Sequence, residues 1–320
     1  MYTSIEVCAG AGGQAIGLHR AGFRHLALVE IDPHAAETLR LNGARTRWWK
    51  ATVVHETSLI GWVPPDGLGH VDLVAGGVPC PPFSIAGKQL GHEDERDLFP
   101  AILDLVEHVQ PRAVMIENVR GLLGAKFADY RTGILERLAN LGYEGEWELL
   151  EAADYGVPQL RPRSILVAMR PESWRFYKWP TPTERVVTVG EALYPLMAEA
   201  GWEGAEAWAE LACDIAPTLV GGSKKHGGAD LGPTRAKRSW AERHGVNGLG
   251  VSDAPPQPGH VGMPKLTVPM AAVVQGFPAA WQFAGRKTAA YRQVGNAFPP
   301  PVAHAVGKQI AKALKASDAK

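Results

Sequence analysis

The chain is poor in the features that would place it outside a reducing cytoplasm. Its 320 residues include only three cysteines, Cys8, Cys80 and Cys213, far apart and without a CxxC pair. That excludes a disulfide framework and a conventional structural zinc site. No apolar run approaches the roughly 18 residues that a membrane span needs. The first residues, MYTSIEVCAG, lack the basic and apolar regions of a secretory signal. There is no internal repeat and no low-complexity tail. Net charge is absent too, with 33 Lys and Arg balancing 33 Asp and Glu. A uniformly basic surface is therefore ruled out, and only local charge can speak for a polyanionic partner.

Local charge is uneven. Between Gly221 and His244 stand Lys224, Lys225, Arg235, Lys237, Arg238 and Arg243, against Asp230 and Glu242. Acidic residues gather elsewhere, as in HEDERD at 92–97. The hydrophobic fraction of 46% supports a sizeable core, and the length suits one large domain with a smaller one.

Strand-like and helix-like segments alternate through the first half. SIEVC (4–8), LALVEI (26–31), VDLVAGG (71–77) and AVMIEN (113–118) read as buried strands, with TVV (52–54) as a short addition. QAIGLHRAG, PHAAETLRLNG and LFPAILDLVEHVQ between them carry helical periodicity. WELLEA (147–152) and SILVAMR (164–170) extend the sheet. The alternation predicts an α/β, Rossmann-like fold with a mostly parallel sheet. Residues 1–185 form its first part. Residues 186–264 are rich in Gly, Pro, Trp and basic side chains, with little periodicity, and predict a small loop-rich domain. Residues 265–320 return to the first domain and end in an amphipathic helix near 300–316.

GAGGQA (10–15) follows the first strand and opens a helix, and Glu30 ends the second strand. Glycines let a ligand approach the backbone, and a carboxylate can accept bonds from ribose hydroxyls. Nicotinamide oxidoreductases and S-adenosylmethionine-dependent methyltransferases share this plan. The turn alone does not choose between them.

The discriminating feature is GGVPCPPFSIAG (76–87), where Cys80 stands among Pro79, Pro81 and Pro82. A core cysteine has no use for such a stiff turn, and an NAD enzyme has no use for such a cysteine. Ligands of open α/β sheets bind beyond the carboxyl ends of the strands. Two strands lead there, one delivering Cys80 and the other Glu117 and Asn118, which offers a nucleophile and an acid to one substrate. QLRPR (159–163) precedes a further strand and can add Arg161 and Arg163.

In order along the chain, EVCAGAGG (6–13), PCPPFS (79–84), ENV (117–119), QLRPR (159–163), VVQGFP (273–278) and YRQVGNAFPPPVA (291–303) resemble the signature blocks of the cytosine-C5 DNA methyltransferases. The resemblance covers nearly the whole chain outside about 186–264. It implies S-adenosyl-L-methionine as cofactor and Cys80 as the nucleophile that adds to cytosine C6. Glu117, beside Asn118, would protonate N3, and Arg163 would hold the cytosine O2. Arg161 and Ser84 would contact flanking phosphates of double-stranded DNA, with Gln159 nearby. The base would be flipped out of the duplex, under a lid running from Pro79 to about Phe99. The cofactor would lie against Cys8, Ala9, Gly10, Gly12, Gly13, Glu30, Ile31, Gly77, Pro79, Asn296 and Ala297.

The chain departs from the pattern in three places. Cys8 stands where the family usually has phenylalanine. VVHETS (53–58) lacks the usual aspartate, leaving Glu56 as its substitute. Ala297 replaces a small hydroxyl residue after Asn296. The segment 186–264 falls where the family places its target-recognition region. There APTLVGGSKKHGG (216–228) offers Thr218, Lys224, Lys225 and His226 as the contact loop, and RAKRSW (235–240) adds Arg235. The expectation is a monomeric, cytoplasmic, nucleoid-associated bacterial enzyme of DNA methylation and restriction-modification. No metal is expected, and a cognate restriction endonuclease would act separately. A tRNA cytosine-5 methyltransferase of the same fold is the nearest rival reading, and a catalytically silent DNA-binding homologue is another.

Overall fold

The computed structural model describes residues 1–46, 52–79, 97–183, 185–221 and 228–320. Seven strands form one sheet: β1 (Tyr2–Val7), β2 (Phe23–Glu30), β3 (Val53–Glu56), β4 (Leu73–Gly76), β5 (Ala113–Val119), β6 (Glu144–Glu151) and β7 (Pro162–Met169). Their order is β3-β2-β1-β4-β5-β7-β6. β1 through β5 pair in parallel, while β7 runs antiparallel to both β5 and β6. The sheet is therefore mostly parallel, with one reversed strand. The chain order switches direction between β1 and β4, so the crevice for a ligand lies beyond their carboxyl ends.

Eleven helices are present among the described residues. In the first half come α1 (Gly13–Arg20), α2 (Pro33–Thr46), α3 (Phe99–Val109), α4 (Ala128–Asn140) and α5 (Pro171–Trp174). Then follow α6 (Val189–Ala198), α7 (Ala205–Leu211), α8 (Thr234–His244), α9 (Val268–Val274), α10 (Lys287–Asn296) and α11 (Pro300–Asp318). β4 and β7 are buried almost end to end, as strands covered on both faces must be. β6 is one of the two edge strands, and its exposed Glu144, Glu146 and Glu148 discourage pairing with another chain.

One face of the sheet packs on α3 and α4 through Ile102, Val106, Ile134 and Leu138. The other packs on α11 through Val302, Val306, Ile310 and Leu314. α11 crosses α1 closely, because a Cβ on Gly17 would stand 2.5 Å from the Ala303 Cβ. That crossing brings the last helix back beside the first turn of the fold.

Residues 186–264 are more regular than their sequence suggests, since they hold α6, α7 and α8. The periodicity was hidden for identifiable reasons. α6 carries Pro195 in its interior, and α8 buries only Trp240 and His244. Apolar residues of this region, Leu193, Met197, Trp208 and Trp240, join one cluster with Met270, Val274 and Phe277. The region is thus packed onto the rest of the molecule through a shared core.

Candidate functional site

The site begins where β1 ends. Cys8, Gly10 and Gly12 all have positive φ, at 50°, 54° and 88°, so the chain turns sharply before α1. Gly13 follows with no room for a side chain: a Cβ there would lie 2.2 Å from the Phe298 carbonyl. Glu30, at the end of the neighbouring β2, fixes the turn. Its Oε2 accepts the Gly10 N–H at 2.7 Å and its Oε1 accepts the Asp32 N–H at 2.7 Å. Burial raises this carboxyl above its ordinary value, while the two N–H donors pull the other way.

A cavity of about 310 Å³ opens above the turn, within the range of small-molecule sites. Cys8, Ala9, Gly10 and Gly13 line it from the turn, and Glu30 and Ile31 from the end of β2. Gly77 and Pro79 line it beyond β4, and Asn296 and Ala297 at the end of α10 and just after it. Ile31 is 67% exposed, leaving an open apolar surface at the wall. The Cys8 thiol is pushed up to about 12 by burial and by Glu30. It therefore stays protonated and cannot serve as a nucleophile.

Two expected cofactor residues stand elsewhere. Gly12 lies under the turn, against Leu39 and Trp281. Glu56 points away, its Oε2 accepting from Arg40 Nη1 at 2.8 Å on the exposed side of β3. Thr57 and Ser58, the next two residues, line the cavity instead. The strand ends at Glu56, and the chain turns towards the cavity only after it.

Glu117 enters the same cavity from β5. Its partner follows from the sheet register. Glu117 faces Ile165 and Val119 faces Arg163 across the antiparallel pair, so Arg163 is a diagonal neighbour of Glu117 on one face. Arg163 Nε meets Glu117 Oε1 at 2.7 Å, and Arg163 Nη1 also donates to the Pro162 carbonyl at 2.9 Å. Burial nevertheless dominates, holding the Glu117 carboxyl above its ordinary value, with Arg163 and Arg161 opposing. Asn118 serves as a tie. Its Nδ2 donates to the Val78 carbonyl at 2.8 Å and its Oδ1 accepts from the Val119 N–H at 2.8 Å. It thereby fixes the segment that leads from β4 to Pro79. The Leu98 N–H bonds back to the Pro79 carbonyl at 3.2 Å. Cys80 and Ser84 lie outside the described residues, as do Lys224, Lys225 and His226.

The QLRPR block is an inverted strand pattern. Gln159, Arg161 and Arg163 point inward and are buried, while Leu160 between them is 45% exposed. Gln159 and Arg161, expected to contact DNA, are almost fully buried, with their side chains turned to the protein's own backbone. Arg161 donates to three backbone carbonyls: Leu219 at 2.7 Å, Gly295 at 2.7 Å and Ala297 at 3.0 Å. Burial, with Arg163 close by, draws its guanidinium well below the ordinary arginine value. Gln159 accepts the Leu219 N–H at 2.7 Å and donates to Gln275 Oε1 at 2.7 Å. Gln275 in turn donates to the Ala297 carbonyl at 2.5 Å. These side chains lock the 216–219 segment to the cavity wall at Ala297.

Thr218 is half-buried, and its hydroxyl donates to the Leu160 carbonyl at 2.5 Å. On α8, Lys237 and Arg238 pair with Asp230 and Glu242 at 2.8 and 3.7 Å, and Arg243 pairs with Asp214. Arg235 is exposed and makes no such pair among the described residues. Gln275 and Arg292 were passed over in sequence, although both fall in quoted blocks. Their amide and charge carried no spacing signal.

The C-5 cytosine-specific DNA methylase family model matches residues 2–312. The chain is 58% identical over 319 residues to the type II methyltransferase M.NaeI of Lentzea aerocolonigenes, covering 97% of this chain and 75% of that protein. It is 54% identical over 318 residues to M.NgoMIV of Neisseria gonorrhoeae, also a type II methyltransferase, covering 98% of each. The fold matches a crystal structure described as a prophage-encoded DNA modification methyltransferase from E. coli. That match has a TM-score of 0.70 and 22% identity, over 98% of this chain and 100% of the other. The S. pombe Dnmt2 methyltransferase matches with a TM-score of 0.65 and 19% identity, over 99% of each chain. With these likenesses resting on a cavity built from a glycine turn, Glu30 and Glu117, the chain belongs to the C-5 cytosine-specific DNA methylase family.

Proposed function

We propose that the enzyme methylates C5 of a cytosine flipped out of a specific duplex DNA sequence, through a covalent bond from Cys80 to C6, with S-adenosylmethionine in the cavity. The observation that carries this reading is Glu117. It is a carboxyl held above its ordinary value and clamped by Arg163, on the wall of a cavity whose last described residue before Cys80 is Pro79.

The cavity fits the cofactor. Each Glu30 oxygen accepts one backbone N–H and keeps a lone pair for a ribose hydroxyl. Ile31 offers an apolar surface for the adenine. When bound, the cofactor supplies an electrophilic methyl group.

The chain's own residues do the rest. Cytosine C5 is a poor nucleophile until something adds to C6. The Cys80 thiolate forms the S–C6 bond, and the ring electrons move towards N3. Glu117 delivers a proton to N3, which is where its raised affinity for a proton matters. Arg163, already oriented by Glu117, is placed to hold the cytosine O2. After methylation, loss of the C5 proton to water, return of the N3 proton to the Glu117 carboxylate and departure of the Cys80 sulfur restore the aromatic ring. Asn118 keeps the Val78–Pro79 backbone, and hence the approach to Cys80, in register with Glu117. Thr218 and Arg235 belong to the region that reads the DNA, and a companion endonuclease acts on the same word as a separate protein.

The test is covalent trapping. A duplex carrying 5-fluorocytosine at the target, found by bisulfite sequencing of DNA from expressing cells, should give a denaturant-stable protein–DNA adduct with the wild type. Cys80→Ser should give neither adduct nor methylation. Full methylation by Cys80→Ser would overturn the mechanism, and methyl transfer to tRNA alone would overturn the DNA substrate.

A further inference from the structure

α10 presents Ala289, Arg292, Gln293 and Asn296 to the cavity, the 3–4 spacing of a single helix face. Arg292 is the one Lys, Arg or His among the described residues lining that cavity. The other ionisable groups there include Glu30, Asp32 and Glu117, all acids. Arginines elsewhere around the site are engaged: Arg163 by Glu117, Arg161 by three carbonyls and Arg40 by Glu56. Arg292 is different. Its Nε is buried with no hydrogen-bond partner, as the Arg161 Nε is, but its guanidinium enters no ion pair among the described residues. A cation on a cavity wall with no counter-charge of its own is open to an anionic ligand.

The geometry points to Arg292 as the anchor for the carboxylate at the amino-acid end of the cofactor, an inference that rests on the cofactor reading above. A carboxylate cannot settle against Glu30 or Asp32 without like-charge repulsion. The guanidinium fork matches a carboxylate in shape and charge, and it needs no rearrangement of an existing pair. Gripping this end sets the cofactor's direction in the cavity, with the nucleoside towards Glu30 and Ile31. Arg292 is then a positioning residue for methyl transfer.

The experiment is a binding cycle by calorimetry, using S-adenosylmethionine and its decarboxylated form, which differ only in that carboxylate. Wild type should bind S-adenosylmethionine more tightly. Arg292→Met should weaken S-adenosylmethionine by roughly 10- to 100-fold, as loss of a charged hydrogen bond does. The same variant should leave the decarboxylated form within about twofold, because the cycle isolates the Arg292–carboxylate coupling. Arg292→Lys, which keeps the charge and the fold of α10, should fall between and retain part of the preference. Equal losses for both ligands, or none, would overturn the inference, the second outcome leaving the glycine turn to hold the carboxylate. A variant that loses only DNA affinity, with a shallower salt dependence, would overturn it in favour of a phosphate contact. Failure of the wild type to bind S-adenosylmethionine at all would sink the cofactor reading instead, so the two failures are distinct.

Discussion

The cavity above the glycine turn and the seam that holds the 216–219 segment are built from the same kinds of side chain. Both bury carboxamides or charges against backbone, and they share Ala297. They differ in what those groups are given. In the seam, Gln159, Arg161 and Gln275 find carbonyls and each other at 2.5–3.2 Å, although the Arg161 Nε has no partner. In the cavity, Glu117 is held above its ordinary value against Arg163, and Arg292 enters no ion pair among the described residues. Side chains matched to the protein's own backbone make structure, and charged groups left facing a cavity mark the place of a ligand or a reaction. The predicted variants test that division.

The largest effect belongs to Glu117. Glu117→Gln keeps the shape but removes the proton donor, and kcat should fall by roughly 10²–10⁴-fold. The pH profile gives the sharper reading. A carboxyl with raised proton affinity stays protonated to higher pH than usual, so wild-type turnover should fall as pH climbs through its value. Glu117→Gln should lose that alkaline limb while its melting temperature stays close to wild type. A variant that melts early with its pH profile intact would move Glu117 into the structural class.

Arg161 should do the reverse. Arg161→Met leaves the carbonyls of Leu219 and Gly295 without their donor, at about 1–3 kcal/mol for each buried group. Recovered desolvation of the guanidinium offsets part of this, so a net loss of about 2–4 kcal/mol is expected from denaturant unfolding. Arg161→Lys should recover some of it. Once the lost stability is restored by lower temperature, kcat should return, which a catalytic role for Arg161 would forbid.

The sheet, the glycine turn and the delivery of Glu117 to the sheet edge were legible because each rests on a short-range rule. Buried strands read as apolar runs, positive φ demands glycine, and a strand delivers its last residues to the sheet edge. The burial of Arg161 and Gln159 was not legible because their partners, Leu219 and Gln275, are 58 and 116 residues away. No local pattern announces that an arginine will meet carbonyls instead of phosphates. The inward polar, outward Leu160 alternation was present in QLRPR, but it reads equally well as an exposed basic strand. Glu56 was chosen for its charge, whereas the cavity is reached one residue later, where the strand ends. In 186–264, α6 is masked by its interior Pro195, and α8 has few apolar residues because its burial comes from Trp240 and His244.

The smallest effect carries the division to the protein surface, where water can satisfy what the protein does not. α8 offers a matched pair of arginines: Arg243 sits in an ion pair with Asp214, while Arg235 is exposed without one among the described residues. If unpaired cations of this region meet DNA phosphates, Arg235→Ala should weaken DNA binding uniformly across sequences. It should also reduce the slope of log K against log salt by about 1. Arg243→Ala should leave the slope unchanged, because its charge is already spent on Asp214, and should cost well under about 1 kcal/mol of stability. Stability should not move measurably for Arg235→Ala, which separates a phosphate contact from a packing role. Equal slopes for the two variants would show that pairing on an exposed helix says nothing about ligand contact. The rule would then hold only where burial makes an unmet hydrogen bond expensive.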